Sequence, residues 1–238
     1  MKFKTYGKKS NPVVILVHGE HTSTWSYEEH AQILSENFFV VLPQWMENFL
    51  SIEDSAQRIM DYLKALKPSK IALIVGTEMG GQIVLQLVSA NPFICSDCVL
   101  ESVPLESKQK KYFIFNLLFL FTKLPFVIRM NACRLHIPAD KYDDFCETQK
   151  NRNYTDYKNM MKAKDEFRLP SLYRVQAQTL ILVGEYEGKK ARKDAQKLYR
   201  AMIDSHLEFT KTKAAGEFSL TQPQYFSVRL MKLYNSIF

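Results

Sequence analysis

Several absences narrow the field before any motif is read. The longest apolar run of this 238-residue chain, Tyr112 to Phe121, stops at Thr122 and Lys123, far short of the roughly 20 residues a membrane helix needs. Stable membrane insertion is therefore not expected. Residues Met1 to Thr5 lack the apolar core of a secretory signal. Cysteine is scarce, with four in all; Cys95 and Cys98 form a lone C-x-x-C without the second pair a zinc site needs and without a thioredoxin-like setting. They read as buried or helix-end thiols, and the expected compartment is a reducing cytoplasm. The formal charge is +7, yet the short basic clusters at 108–111 and 189–193 have no interleaved aromatics. They read as solvated faces, and no nucleic acid partner is expected. Nothing repeats, no low-complexity linker divides the chain, and no cofactor is expected.

What is present is the balance of a globular domain, 46% hydrophobic and 24% charged. Apolar runs of strand length alternate with segments of helical period, the pattern of a mostly parallel sheet covered by helices on both faces. Val13 to Val17 reads as a buried strand ending at His18-Gly19, and Phe38 to Leu42 as the next, stopped by Pro43. Ile52, Ala56, Ile59, Leu63 and Leu66 recur at helical spacing. Lys70 to Val75 is a third strand, followed by a helix with Ile83, Val84, Leu87 and Val88 on one face, and Cys98 to Leu100 continues the sheet. From 104 to about 170 strand patterning stops and helix-like stripes take over, including Phe113 to Phe121 and Tyr154 to Phe167. Strand logic returns at Thr179 to Val183 and near Leu207 to Thr210, with a helix between them and another at the end. The expected organisation is an α/β core of residues 1–103 and 171–238, with an all-helical cap, 104–170, inserted in it.

The segment from Ile71 to Gly81 is a strand, a sharp turn and a helix start, with Gly76 and Gly80 two residues either side of Glu78. A turn this tight tolerates only small residues at those flanks. This strand–elbow–helix stretch resembles the nucleophile elbow of the α/β-hydrolase superfamily, in its small cap-bearing, bacterial esterase-like branch. Three further stretches carry the resemblance. His18-Gly19 resembles the His-Gly that ends an early strand, which implies backbone oxyanion donors at Glu20 and at Met79. Residues Leu180 to Glu187 resemble the late strand and acid loop, placing Glu187 at the triad acid. Ala214-Ala215-Gly216-Glu217 resembles the stretch that presents the catalytic histidine, placing Glu217 there. The resemblance implies an α/β-hydrolase fold.

Its chemistry does not carry over. The apex is Glu where the family has Ser, sometimes Cys or Asp, and none of His18, His21, His30, His136 and His206 falls in the late loop. Acyl transfer by Ser–His–Asp is then closed, since hydroxyl and base are both missing. Three carboxylates in one pocket must share protons or admit a cation. Glu20 and His21, in the oxyanion-side loop, could add ligands to such a cation, and His18 and His21 count as pocket or ligand candidates. Three readings stay open: a degenerate hydrolase scaffold that binds a small molecule, a hydrolase using Glu78 as nucleophile or base, and a carboxylate metal site of Glu78, Glu187 and Glu217. Apolar residues from Phe113 to Ile128 suggest a hydrophobic lid and a small apolar ligand; any protein partner is unspecified. Trp25 is expected in the core.

Overall fold

The computed structural model describes residues 1–106, 115–184, 187–210, 220 and 223–235. Seven described strands form one sheet in the order β1-β3-β2-β4-β5-β6-β7. They are β1 (Lys2–Tyr6), β2 (Val13–Val17), β3 (Phe39–Gln44), β4 (Ile71–Thr77), β5 (Asp97–Glu101), β6 (Gln178–Gly184) and β7 (Ser205–Thr210). Every pairing is parallel except β1 with β3. The edge strand β1 has no apolar run and was not anticipated. Its Lys-Phe-Lys-Thr-Tyr pattern is that of a strand with one solvated face.

The period-two geometry of strands sorts β2 into two cores. Val13, Ile15 and Val17 face one side with α2 (Ile52–Leu66), α3 (Glu78–Ala90) and α8 (Lys189–Ala201). Val14 and Leu16 face the other with α1 (Glu28–Leu34) and α9 (Pro223–Asn235). Both faces are covered, which is why β2 is apolar at every position. The Ser51 hydroxyl caps α2 by accepting from Asp54 N–H, and Lys67 ends it in the left-handed conformation at φ 50°.

Between β5 and β6 lie α4 (Phe115–Thr122), α5 (Pro125–Arg134), α6 (Tyr142–Asn151) and α7 (Tyr154–Glu166). This helical segment grips the sheet's C-terminal edge at two loops. The Asp156 carboxylate accepts from Asn48 and Phe49 N–H at 3.1 and 2.9 Å, and the Asn159 amide donates to Phe49 O. Trp25 Nε1 donates to Thr148, and the Gln149 amide donates to His21 O. Trp25 is thus not a main-core residue: it packs with Ile128, Ala132 and Phe145 of the helical segment. Leu120, Phe121, Phe126 and Met130 are exposed, and Phe119 packs against Tyr154 and Tyr157 within the same segment. Phe113 lies outside the described residues. Cys95 and Cys98 are free, buried thiols; burial pushes the Cys95 thiol up to about 12, which leaves it unreactive.

Candidate functional site

Parallel strands deliver their following loops to one edge of the sheet, and four of those loops carry the residues of interest. β2 and β4 are neighbours, with Val17 opposite Gly76, so residues 18–21 and 77–79 emerge side by side. Glu78 sits between Thr77, which is extended, and the first turn of α3, and takes φ 49°. A left-handed non-glycine residue between a strand and a helix is the strained apex of an elbow, at a cost of about 1–3 kcal/mol. The flanking glycines are required by space. A Cβ on Gly80 would lie 2.3 Å from His18 O, and one on Gly76 would lie 2.7 Å from Gly81 Cα.

The Met79 N–H, the elbow donor, points at a carboxylate of the protein itself: it donates to Glu20 Oε2 at 3.0 Å. The other oxygen, Oε1, accepts from the Lys164 ammonium of α7, and Glu20 O accepts from the Arg152 guanidinium. The expectation gave Glu20 a backbone role here; what reaches Met79 is its side chain. Glu20 is 4% exposed. Burial would raise its pKa, but Lys164, aided by the Met79 bond, holds it well below the usual carboxylate range. Burial opposes the Lys164 charge, yet attraction to Glu20 and then Glu78 raises its pKa. Burial likewise lowers Arg152, against the pull of Glu20, Tyr157 and Glu78.

Two carboxylates, Glu20 and Glu78, therefore share their surroundings with two cations. For Glu78 this answers the charge problem by a route the sequence reading lacked: the counter-ions are side chains of the helical segment. The His21 ring lies 3.9 Å from Glu20. Burial, then the nearby Lys164 and Arg152, bring its pKa to about 4 against the pull of Glu20, so it is neutral near pH 7. Donor atoms of Glu20, His21 and Glu78 lie within 4.8 Å of one another. A divalent ion there would have to displace Lys164 and compete with Arg152, so this donor set fits a metal poorly.

Glu187 occupies the same edge farther along. Its Oε1 accepts from Gly184 N–H at 2.8 Å and from the Ser102 hydroxyl at 2.5 Å, and Ser102 is itself left-handed at φ 51°. β6 is two strands from β4, roughly 10 Å across the sheet. Glu217 lies outside the described residues. Thr77, beside the apex, accepts from Tyr27 OH at 2.6 Å and donates to Glu101 at 3.1 Å, a buried polar chain under the elbow. A Ser–His hydrogen bond does exist, His30 Nδ1 to Ser227 at 2.7 Å. It is buried against the Tyr27 and Phe226 rings and binds α1 to α9. His18 is buried, stacks on Trp45 and contacts Gly19 O through Nδ1. Sequence reasoning missed Lys164, Arg152 and Ser102. The unbalanced glutamates were the one signal that could have prompted a search for basic partners.

No family model matches the chain, and no curated protein matches it by sequence. Solved structures do match. An esterase from Thermogutta terrifontis is 14% identical at a TM-score of 0.81, covering 99% of this chain and 93% of that one. The enol-lactonase from Burkholderia xenovorans LB400 is 13% identical at 0.80, covering 99% and 96%. An esterase from Exiguobacterium antarcticum is 16% identical at 0.79, covering 98% and 94%. The chain has the α/β-hydrolase fold.

Proposed function

We propose that this chain is an α/β-hydrolase-fold protein without serine-hydrolase activity. In this reading Glu78, Glu187 and Glu217 stand at the triad positions, and residues 104–170 form a cap over a retained small-molecule pocket. One observation carries it: the elbow N–H of Met79 is bonded to the carboxylate of Glu20. An oxyanion hole works by having donors aimed at the place where negative charge develops. A resident carboxylate there repels an oxyanion and takes up the donor, and loss of one such donor alone costs about 10²–10³ in rate. The missing hydroxyl and imidazole remove the rest of the mechanism.

The small apolar ligand expected from the Phe-rich stretch draws no support from Leu120, Phe121 and Phe126, which are exposed. A second reading keeps chemistry at Glu78, as nucleophile or base, and draws on the left-handed apex that still presents it. Hydrolysis of short-chain p-nitrophenyl esters and lactones by wild type and Glu78→Ala separates the two. The expected result is the same background rate for both; turnover that disappears in Glu78→Ala would sink the inactive reading and establish the second.

A further inference from the structure

We propose that a cavity of about 610 Å³ between the β2–α1 loop, the loop after β3 and helices α6 and α7 is a binding site for a neutral, polyhydroxylated small molecule such as a sugar. It lies apart from the Glu20–Lys164 pair: Arg152 contributes to its wall, but Glu20, His21 and Glu78 do not. Its size falls in the range of small-molecule sites.

Two of the side chains that line it each hold a buried polar atom without a partner. His18 is 1% exposed, and burial lowers its pKa to about 4, so the ring is neutral near pH 7. Its Nδ1 faces the Gly19 carbonyl, which can only accept, so Nδ1 carries the proton and Nε2 is a bare acceptor. Among the described residues, neither His18 Nε2 nor Arg152 Nε has a hydrogen-bond partner. One needs a donor and the other an acceptor, and a hydroxyl supplies either. Leaving such groups unsatisfied is costly, and a hydroxyl that reaches either atom recovers that cost.

The remaining wall selects the class. Five carboxylates line the cavity against two cations, Lys4 and Arg152, so anions are repelled. Small organic cations meet the charge of Arg152. Neutral hydroxylated molecules meet neither obstacle. The side-chain amides of Gln44, Asn48 and Asn151 offer donors and acceptors on the wall. The Trp25 ring, held by its bond to Thr148, supplies a flat apolar surface for the C–H face of a sugar ring.

Calorimetric titration and thermal shift of the full chain with a panel of neutral mono- and disaccharides test this, with gluconate and glucosamine as charged controls. Saturable binding of a neutral sugar is expected, with both controls much weaker. His18→Gln should weaken it roughly tenfold, the worth of one buried hydrogen bond. Should that variant fold poorly, Asn151→Trp decides, because Asn151 is exposed and a bulky ring there blocks the cavity without entering the core. Binding unchanged in Asn151→Trp, binding of gluconate equal to that of glucose, or no saturable binding by any neutral sugar would each overturn the proposal. Ester and lactone assays are silent on this cavity, so failure here leaves the reading of Glu20 and Met79 standing, and the reverse.

Discussion

The elbow at 76–81 and the loop at 18–21 emerge side by side from adjacent strands, yet they have fared differently. The elbow keeps its shape: a left-handed apex, a helix starting at once, and glycines where a methyl would strike backbone. The loop keeps its path but carries a carboxylate into the space the elbow N–H addresses. Shape is set by backbone crowding that only glycine relieves. Chemistry is set by a few side chains that can change without disturbing it. On the proposed reading, a fold persists where its usual reaction is closed.

The comparison breaks most violently at Lys164. If the loop depends on the helical segment for charge, Lys164→Met strands the Glu20 carboxylate, 4% exposed, and should cost about 3–5 kcal/mol in denaturant unfolding. The double variant Lys164→Met with Glu20→Gln should recover most of that loss. An additive double variant would mean the pair is incidental to the loop.

Acid sharpens the same contrast. His18 has a folded pKa of about 4, lowered from 6.5 by burial. Below pH 6.5 the unfolded chain takes a proton that the folded one refuses, so stability is full above that pH and falls toward pH 4. For His18 the loss is about 3 kcal/mol by pH 4. His21 adds a fall of the same sign, and Glu20, held low by Lys164, adds one below its ordinary range. Asp97, raised to about 6 chiefly by burial, works the other way, since its folded form keeps a proton that the unfolded one releases. Urea melts from pH 7.5 to 4.5 should show a net fall, shallower in His18→Gln and steeper in Asp97→Asn. A profile that rises toward pH 4.5 would show that the histidines titrate freely and leave Asp97 unopposed.

The elbow side is probed by Gly80→Ala. Its Cβ would meet His18 O at 2.3 Å, and no flexible side chain is there to yield, so about 1–3 kcal/mol should be lost. Gly188→Ala, with open space around it, should stay within about 0.5 kcal/mol. Equal effects would mean that crowding does not hold the elbow.

How much of this was legible beforehand follows from range. Val13 to Val17 and Thr179 to Val183 announced themselves because buried strands must be apolar throughout. Glu78 was legible because Gly76 and Gly80 sit at fixed offsets from it. β1 was not, since Lys2 and Lys4 mark a half-solvated edge that resembles a loop. Lys164 was least legible: on α7 it looks like one more solvated lysine, and only the packing of a helix 144 residues away in sequence brings it to Glu20. Local pattern records which face is wet. It does not record which partner waits inside.

Ser102 gives the smallest effect and the finest distinction. Its hydroxyl and the Gly184 N–H both bond one oxygen of Glu187, so two strand ends are tied through that carboxylate. If Glu187 is held as a fixed acceptor, as an orienting acid would be, Ser102→Ala removes one of two donors and costs about 1 kcal/mol, because Gly184 still holds the side chain. Glu187→Gln keeps the shape but puts an amide where an anion accepted two bonds, and charged acceptors are worth roughly twice neutral ones. It should therefore cost more than Ser102→Ala. Thermal unfolding of both variants ranks them. If Glu187→Gln is the milder change, the charge on Glu187 has no part in holding the β6 loop to β5, and the residue is a solvated loop glutamate.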